Sequence, residues 1–169
     1  MIQKIYPFLS PQKAKEIERD QEHFLLHRTL HHVKAVRGAV RAVTTLQKRG
    51  YVLAVVSNCR HRILLALLRA GGFDRTLFSL CVGYDDVAHP KPAPDEIMKA
   101  EHLVHLHADY MVGDTPYDIL AAKKAKVKAI AVHSGVATLS ALKKHRPYAL
   151  LKSVAEVPAF VERDHHRSP

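Results

Sequence analysis

The chain has 169 residues, of which 47% are hydrophobic, and this is enough to bury the core of one domain. It contains no internal repeat and no apolar run that could span a bilayer, and its first ten residues lack the apolar segment of a secretory signal. Its two cysteines form neither a metal motif nor a disulfide framework. These features predict a soluble cytoplasmic protein and exclude a membrane protein.

The chain is strongly basic. It has 26 lysine and arginine residues against 16 acids, a formal net charge of +10, and 13 histidines that add charge at lower pH. Such a charge attracts anions, from phosphorylated metabolites to nucleic acids. Nucleic acid is the disfavoured partner, because the basic residues are spread along the chain and only 7% of residues are aromatic.

The first predicted element is a long amphipathic helix over residues 12–32, with Ser10 as its N-cap and Pro11 at its first position. Three of its histidines recur at every fourth residue: His23, His27 and His31. This spacing can hold a metal ion, but no acid or cysteine joins them at a suitable distance in the sequence. A solvated stripe of histidines is therefore the favoured interpretation.

A second helix is predicted over residues 38–49, and from residue 51 onward apolar runs alternate with helical patterns. The apolar runs are 51–56, 80–83, 110–112, 127–132 and 148–151. The helical patterns that follow them are 60–70, 95–107, 116–126, 136–145 and 153–161. This alternation predicts a parallel sheet with helices on both faces, with Val55 and Met111 in buried strands of the core. Residues 164–169 are predicted to be a polar tail.

Polar residues follow three of these strands. Ser57 and Asn58 end the first strand, Lys91 lies in the proline-rich loop after the second, and Asp114 and Asp118 follow the third. Because the carboxyl ends of parallel strands meet at one edge, where open α/β sheets bind their ligands, we expect these residues to converge on one pocket. A hydroxyl, a cation and an acid pair that can bind Mg²⁺ suit a phosphoryl group.

Each of these residues also has a purely structural interpretation. Asp118 could cap a helix, Ser57 could be the turn residue that ends a strand, and Lys91 could be a solvated loop cation. Their joint order and spacing favour the functional interpretation.

The same residues resemble the motifs of the haloacid dehalogenase (HAD) superfamily, most of all its phosphoglycolate-phosphatase-type members. The matching segments are Val55-Val56-Ser57-Asn58, Lys91-Pro92-Ala93-Pro94-Asp95 and Val112-Gly113-Asp114-Thr115 with Asp118. The resemblance covers about residues 33–162. It implies a HAD-like, Rossmannoid α/β core over residues 33–163 and a Mg²⁺-dependent hydrolase of small phosphorylated metabolites.

The resemblance also implies a role for each residue. Ser57 would hydrogen-bond the transferring phosphoryl oxygen, and Asn58 would help to shape the pocket. Lys91 would offset the charge of the phosphate and of the nucleophile. Asp114 would bind Mg²⁺ directly, with Asp118 in support.

One departure from the family is severe. The family's first motif, Asp-x-Asp-Gly-Thr, ends the first strand and contains the aspartate nucleophile, and nothing like it occurs in this sequence. Asp20, the pair Asp85-Asp86 and Asp164 lie in other contexts. Residues 1–32 resemble the end of the family's helical cap, so the first strand and most of the cap are expected to be missing. We therefore expect the chain to be inactive, because a phosphoaspartyl intermediate needs that nucleophile.

The missing strand leaves several alternatives open. In the family it lies between the strands that end here at Ser57 and Asp114. The segment from Ile2 to Phe8 could replace it, the two neighbours could pair directly, another polypeptide could fill the space, or a truncated product could fold poorly. The alternative functions are a non-catalytic phosphate- or protein-binding remnant and, less favoured, a nucleic-acid-binding module.

Overall fold

The structure, a computed structural model, describes residues 7–133 and 137–166. The strands in these ranges are β1 (Ala54–Ser57), β2 (Leu80–Gly83), β3 (Tyr110–Gly113), β4 (Lys128–Val132) and β5 (Ala149–Leu151). The α-helices are α1 (Pro11–Phe24), α2 (Ala39–Lys48), α3 (His61–Ala70), α4 (Asp95–Val104), α5 (Pro116–Lys124), α6 (Leu139–Lys144) and α7 (Val157–His165). The predicted alternation of strands and helices from residue 51 onward is confirmed. The predicted start of the sixth helix, at Val136, lies outside the described residues.

All strand pairs are parallel. β1 pairs with β2, with Ala54 opposite Leu80, and a second sheet has the order β3-β4-β5. The predicted α/β fold with parallel strands is therefore confirmed. None of the helices in the described residues is long and apolar enough to cross a membrane.

Helices cover both faces of the β3-β4-β5 sheet. Ala129 and Ala131 of β4 pack with residues of α4, α5 and α6, whereas Ile130 and Val132 pack on the other face with residues of α2 and α7. The pleat of a strand produces this alternation, because successive side chains point to opposite faces. A third core is built around Leu64 of α3 and covers β1 and β2.

Within the described residues the two sheets do not join, and we call the space between β1 and β3 the central gap. Pairing ends at β1 in one sheet and at β3 in the other, and no strand in the described part of the chain lies between them. Ala54 is exposed, and Val55 and Met111 are only half-buried. The prediction that both strands are fully buried is therefore wrong, because each strand has a paired neighbour on one side only among the described residues.

Two of the alternatives for the missing strand can be compared with this arrangement. β1 and β3 do not pair directly with each other. The segment from Ile2 to Phe8 lies outside the described residues except for Pro7 and Phe8, which belong to a turn.

The amino-terminal helix is shorter than predicted. Ser10 caps α1 by accepting a hydrogen bond from the Lys13 N–H, but α-helical hydrogen bonding ends at Phe24. A π-helical turn (Leu25–Thr29) and a 3-10 turn (Leu30–His32) follow. The hydroxyl of Thr29 donates to the Leu25 carbonyl at 2.8 Å, a back-bond of the kind that distorts helices.

The last helix runs further than predicted. α7 includes Asp164 and His165, two residues that the sequence pattern assigns to the polar tail, and residues 167–169 lie outside the described part. The Asp164 carboxylate accepts hydrogen bonds from Tyr110, Tyr148 and Lys128, which lie on or beside the first residues of β3, β5 and β4. The end of α7 is thus fastened to the amino-terminal edge of the sheet.

Candidate active site

A cavity of about 420 Å³ lies at the carboxyl ends of β1 and β3. Its lining contains all five residues that the sequence motifs single out: Ser57, Asn58, Lys91, Asp114 and Asp118. The expected convergence of these side chains at one edge of the sheet is thus present in the structure.

Lys91 is buried beside two oxygen acceptors. Its Nζ donates to Asp118 Oδ1 at 2.8 Å and to the Val56 carbonyl at 3.0 Å, and only 8% of its side chain is exposed. The interpretation of Lys91 as a solvated loop cation is therefore wrong. The lysine follows β2 in sequence, yet it contacts the end of β1 and the first turn of α5, so its ammonium crosses the carboxyl end of the central gap.

Asp118 acts as a helix cap as well as a partner of Lys91. Its Oδ2 accepts hydrogen bonds from the backbone N–H (3.0 Å) and the hydroxyl (2.7 Å) of Thr115, the N-cap residue of α5. This reciprocal arrangement is a capping box. A side chain at Gly113 would collide with Asp118, so the close approach of the strand end to the helix requires glycine there.

Ser57 and Asn58 organise the end of β1. The Ser57 hydroxyl accepts a hydrogen bond from the Cys59 N–H at 3.2 Å, as a strand-ending turn residue does. The side-chain amide of Asn58 donates to the Lys91 carbonyl at 2.9 Å and so ties the Lys91 loop to β1. Asn58 therefore positions Lys91, in addition to lining the cavity.

Both oxygens of Asp118 are engaged by Lys91 and Thr115, so Asp118 is suited to a supporting role beside a metal ion and not to direct contact with it. No group of three or more His, Cys, Asp or Glu side chains that could hold a metal ion occurs within residues 7–133 and 137–166. Mg²⁺ often takes one or two protein carboxylates and completes its shell with phosphate oxygens and water. The donor set therefore fits a Mg²⁺ ion shared with a phosphate ligand, and does not fit a closed protein site.

Glu96 is a buried acid that the sequence motifs did not identify. It is fully buried in the first turn of α4, its carboxylate lies 3.9 Å from Lys91 Nζ, and neither oxygen makes a well-formed hydrogen bond within the described residues. Burial raises the pKa of Glu96, against the opposing effect of the nearby Lys91 charge. An acid in the first turn of a helix is ordinarily explained by the helix dipole, so no signal in the sequence identified Glu96 as buried.

The other aspartates that could have replaced a nucleophile do not line this cavity. Asp85 accepts a hydrogen bond from the His61 N–H at 2.7 Å. Asp86 accepts one from the Gly83 N–H at 2.7 Å and contacts the His61 ring, and these bonds lower its pKa despite the opposing effect of burial. Asp20 is exposed on α1.

The histidine stripe of the amino-terminal segment is exposed. The ring centroids of His23 and His27 are 4.4 Å apart, whereas His31 lies beside His32 at 4.2 Å. The break from α-helix to π and 3-10 turns separates His31 from the regular spacing of the other two.

Comparison with known proteins identifies the family. A sequence model described as haloacid dehalogenase-like hydrolase matches residues 3–132. The chain belongs to the haloacid dehalogenase-like hydrolase family.

Its relatives include proteins named as phosphatases. The chain is 39% identical over 124 residues to the "Probable phosphatase IndB" of Dickeya dadantii, an alignment that covers 71% of this chain and 53% of the relative. It is 35% identical over 100 residues to the phosphoglycolate phosphatase of Mesorhizobium japonicum, which covers 58% of this chain and 44% of the relative. The chain thus spans about half the length of these relatives.

Solved structures share the fold. A hydrolase from Pseudomonas syringae superposes with a TM-score of 0.81 at 21% sequence identity, with 92% of this chain and 74% of the other covered. At this level of identity the likeness concerns the fold alone.

Proposed function

We propose that this chain carries the phosphate-binding part of a HAD-type phosphomonoester hydrolase, and that its ligand is a small phosphorylated metabolite. The observation that carries the proposal is the buried Lys91 ammonium, held by Asp118 and the Val56 carbonyl in a cavity that Ser57 and Asp114 also line. Phosphoryl groups need a positioned cation and hydrogen-bond donors around their oxygens. The similarity to a phosphoglycolate phosphatase supports a substrate of that class.

Each side chain has a donor suited to a phosphoryl oxygen. An ammonium has three N–H donors, and the two hydrogen bonds of Lys91 to Asp118 and Val56 use two of them. The Ser57 hydroxyl accepts from the Cys59 N–H, so its own proton remains available to donate. Asp114 would hold Mg²⁺, which neutralises phosphoryl charge when it is bound.

The proposal includes a limit on catalysis. The carboxylates that line the cavity are Asp114 and Asp118, and Asp118 is already bound by Lys91 and Thr115. Because Asp114 is assigned to Mg²⁺ in this proposal and Asp118 to Lys91 and Thr115, neither serves as the phosphoryl acceptor, and the chain binds phosphate without efficient turnover. In this proposal, an acceptor for the phosphoryl group comes from another polypeptide. A non-catalytic phosphate-binding role is the alternative if no such partner exists.

The test is calorimetric titration of the full chain with inorganic phosphate in the presence of Mg²⁺. We expect saturable binding that Ser57→Ala weakens, and that Lys91→Met weakens by about tenfold or more, because a charge-assisted hydrogen bond is lost. Lys124→Met, an exposed lysine at the end of α5, is the matched control and should leave the affinity unchanged.

Two results would contradict the proposal. One is the absence of phosphate binding to the folded wild-type chain. The other is an equal loss of affinity in Lys124→Met and Lys91→Met, which would mean that the net charge of the protein attracts phosphate without a specific site. Ser57→Ala guards against misfolding of the Lys91 variant, because the serine makes only a local hydrogen bond to Cys59 in the described residues.

A further inference from the structure

The positive charge of the protein is concentrated in one part of the chain. Residues 119–155 contain eight lysine and arginine residues and no aspartate or glutamate. This stretch therefore contributes +8 to the formal net charge of +10. It runs from α5 through β4 and α6 to β5.

The helices α5 and α6 end beside each other at the amino-terminal edge of the sheet. Each helix is followed by a strand, β4 from Lys128 and β5 from Ala149, and these two strands are parallel neighbours. The ends of the helices are in contact, because Lys123 Nζ donates a hydrogen bond to the His145 carbonyl at 2.6 Å. Residues that are 22 positions apart in the sequence therefore meet on one surface.

Five exposed cations lie within three residues of this contact, and we call them the basic patch: Lys123, Lys126, Lys143, Lys144 and Arg146. None of them forms a salt bridge with an acid of residues 7–133 or 137–166. Lys128 differs from them, because it is paired with Asp164 at 2.9 Å. Lys124 is turned by about 100° from Lys123 around α5 and is not part of the patch.

The helix dipoles account for only a small part of this charge. The carboxyl end of a helix has the effect of about half a negative charge, which cations in the last turn offset. Two helix ends thus balance about one of the five positive charges. In addition, Lys126 and Arg146 have φ angles of 62° and 46°, a left-handed conformation that favours glycine. Both positions therefore have a charged side chain where the backbone favours none.

The basic patch has no apolar centre. No large apolar side chain is exposed in residues 123–126 or 143–146. Protein interfaces depend on apolar and aromatic anchors and are depleted of charge at their centres, and membrane-binding surfaces add inserted apolar residues to their cations. Interfaces with nucleic acids are instead polar and strongly positive, because much of their affinity comes from phosphate contacts. The composition of the patch fits a nucleic acid best.

We propose that the basic patch binds the sugar-phosphate backbone of a double-stranded nucleic acid without reading its base sequence. In chain order the basic residues are spread out, which disfavoured such a partner, but the fold brings five of them together. The low aromatic content of 7% fits a duplex, whose bases are already stacked on one another. The patch lies at the edge of the sheet opposite to the candidate active site, so the inference does not rest on the proposed function.

The probe is a short fluorescein-labelled DNA duplex of mixed sequence. Fluorescence anisotropy with the full chain should show saturable binding at low salt, and a duplex of different sequence should bind equally well. If about four phosphates are contacted, the affinity should fall by about a hundredfold between about 50 and about 200 mM salt, because counterions are released on binding.

Two double variants test the position of the site. Lys143→Gln, Lys144→Gln removes two charges of the patch and should weaken duplex binding by about tenfold or more, with a salt dependence reduced by about two phosphate contacts. The control is Lys15→Gln, Lys34→Gln, which removes two exposed lysines outside the patch and changes the net charge equally. We expect it to change the affinity by less than about threefold, because only the general field of the protein is altered.

NMR amide shifts locate the duplex on the wild-type chain without any substitution. The largest changes should lie in residues 123–126 and 143–146. Changes confined to residues 57–58 and 114–118 would overturn the inference, because the duplex would then occupy the candidate active site. Absence of duplex binding at low salt, or equal losses of affinity in the two double variants, would overturn it as well. Binding to phosphatidylserine vesicles in place of the duplex, lost in the patch variant, would instead assign the patch to a membrane surface.

Discussion

Lys91 and Asp118, which line the candidate-site cavity, form a buried cluster of charge with Glu96. A buried ion pair gains much less than its Coulomb energy suggests, because both charges lose their water. Lys91 compensates by two hydrogen bonds, to Asp118 and to the Val56 carbonyl. Glu96 has no comparable compensation, since its carboxylate is 3.9 Å from the ammonium and its oxygens lack well-formed hydrogen bonds in the described residues. Glu96 is thus the residue of this cluster that costs stability when it is ionised.

We predict that Glu96→Gln increases the free energy of unfolding relative to the wild type at about pH 8, and that this advantage shrinks as the pH falls. Burial raises the folded-state pKa of Glu96 above its unfolded value. The stabilisation that protonated Glu96 gives the folded state is therefore fully present below the unfolded pKa, and it is lost as the pH rises through the folded pKa. Glutamine does not titrate. Urea denaturation from about pH 5 to about pH 8 measures the difference.

The control for this prediction is Glu156→Gln, which changes an exposed carboxylate of the 3-10 turn before α7. Its effect on stability should vary much less over the same pH range. A Glu96→Gln advantage that is independent of pH would show that the ionised carboxylate is not the source of the cost.

Sequence spacing was sufficient to identify the motif residues at this scale. Ser57, Lys91 and Asp114 each follow a strand, and any parallel sheet brings such residues to one edge. Spacing could not show that Lys91 is buried or that Glu96 lies beneath it. Those facts depend on how α4 packs against the strands, which is a tertiary property.

At the scale of elements, Asp164 joins α7 to the sheet. Tyr110 and Tyr148 donate their hydroxyl protons to it at 2.6 Å, and Lys128 Nζ lies at 2.9 Å. These hydrogen bonds, that of Tyr110 foremost, hold the pKa of Asp164 well below its usual range. Burial, together with the hydrogen bond to the same carboxylate, raises the pKa of the Tyr110 hydroxyl.

We predict that Asp164→Asn lowers the Tm at neutral pH, and by more than Tyr110→Phe, because the asparagine variant lacks the charge that all three donors share. Because the folded-state pKa of Asp164 is lowered, its ionised carboxylate stabilises the fold above the unfolded-state pKa of about 3.9. That contribution is lost as the pH falls through the still lower folded pKa. The Tm difference between wild type and variant should therefore narrow below about pH 4. Differential scanning calorimetry provides the measurement, with the exposed Asp20→Asn as control.

The contradicting result would be a Tm difference that stays constant down to strongly acidic pH.

The sequence predicted a tail from residue 164 because that stretch is polar and no apolar periodicity continues through it. Asp164 is ordered by residues 16 to 54 positions away in the chain, and no local pattern contains this information.

At the scale of the whole molecule, the alternation of apolar runs and helical patterns was sufficient to predict parallel strands covered by helices on both faces. It could not predict how β1 and β3 relate to each other. Both strands have the same composition whether they are central or border an open gap, since burial depends on a neighbour elsewhere in sequence or in another chain. Val55 and Met111 are therefore only half-buried, although the apolar pattern of the sequence predicted that they lie in buried strands.

We predict that the purified 169-residue chain with Mg²⁺ hydrolyses neither 4-nitrophenyl phosphate nor phosphoglycolate faster than its Ser57→Ala, Asp114→Asn double variant. Of the two carboxylates that line the cavity, Asp118 is bound by Lys91 and Thr115, and Asp114 holds Mg²⁺ in the proposed function, so we expect neither to form and release an acyl phosphate. Phosphate release measured by a coupled assay provides the rates.

Rapid turnover by the wild type that disappears in the double variant would contradict this prediction. It would require a nucleophile among the remaining acids, and Asp20, Asp85 and Asp86 would be the first to replace. Equal slow rates in both proteins would agree with the prediction.

The position of Lys91 has a mechanical consequence. Lys91 lies in the loop after β2, and its ammonium donates hydrogen bonds to the Val56 carbonyl at the end of β1 and to Asp118 in the first turn of α5. Lys91 therefore connects the two sheets, which share no backbone hydrogen bonds within the described residues. In the proposed function the third Lys91 proton binds phosphate while the other two keep these contacts, so one side chain serves both the ligand and the connection between the two sheets.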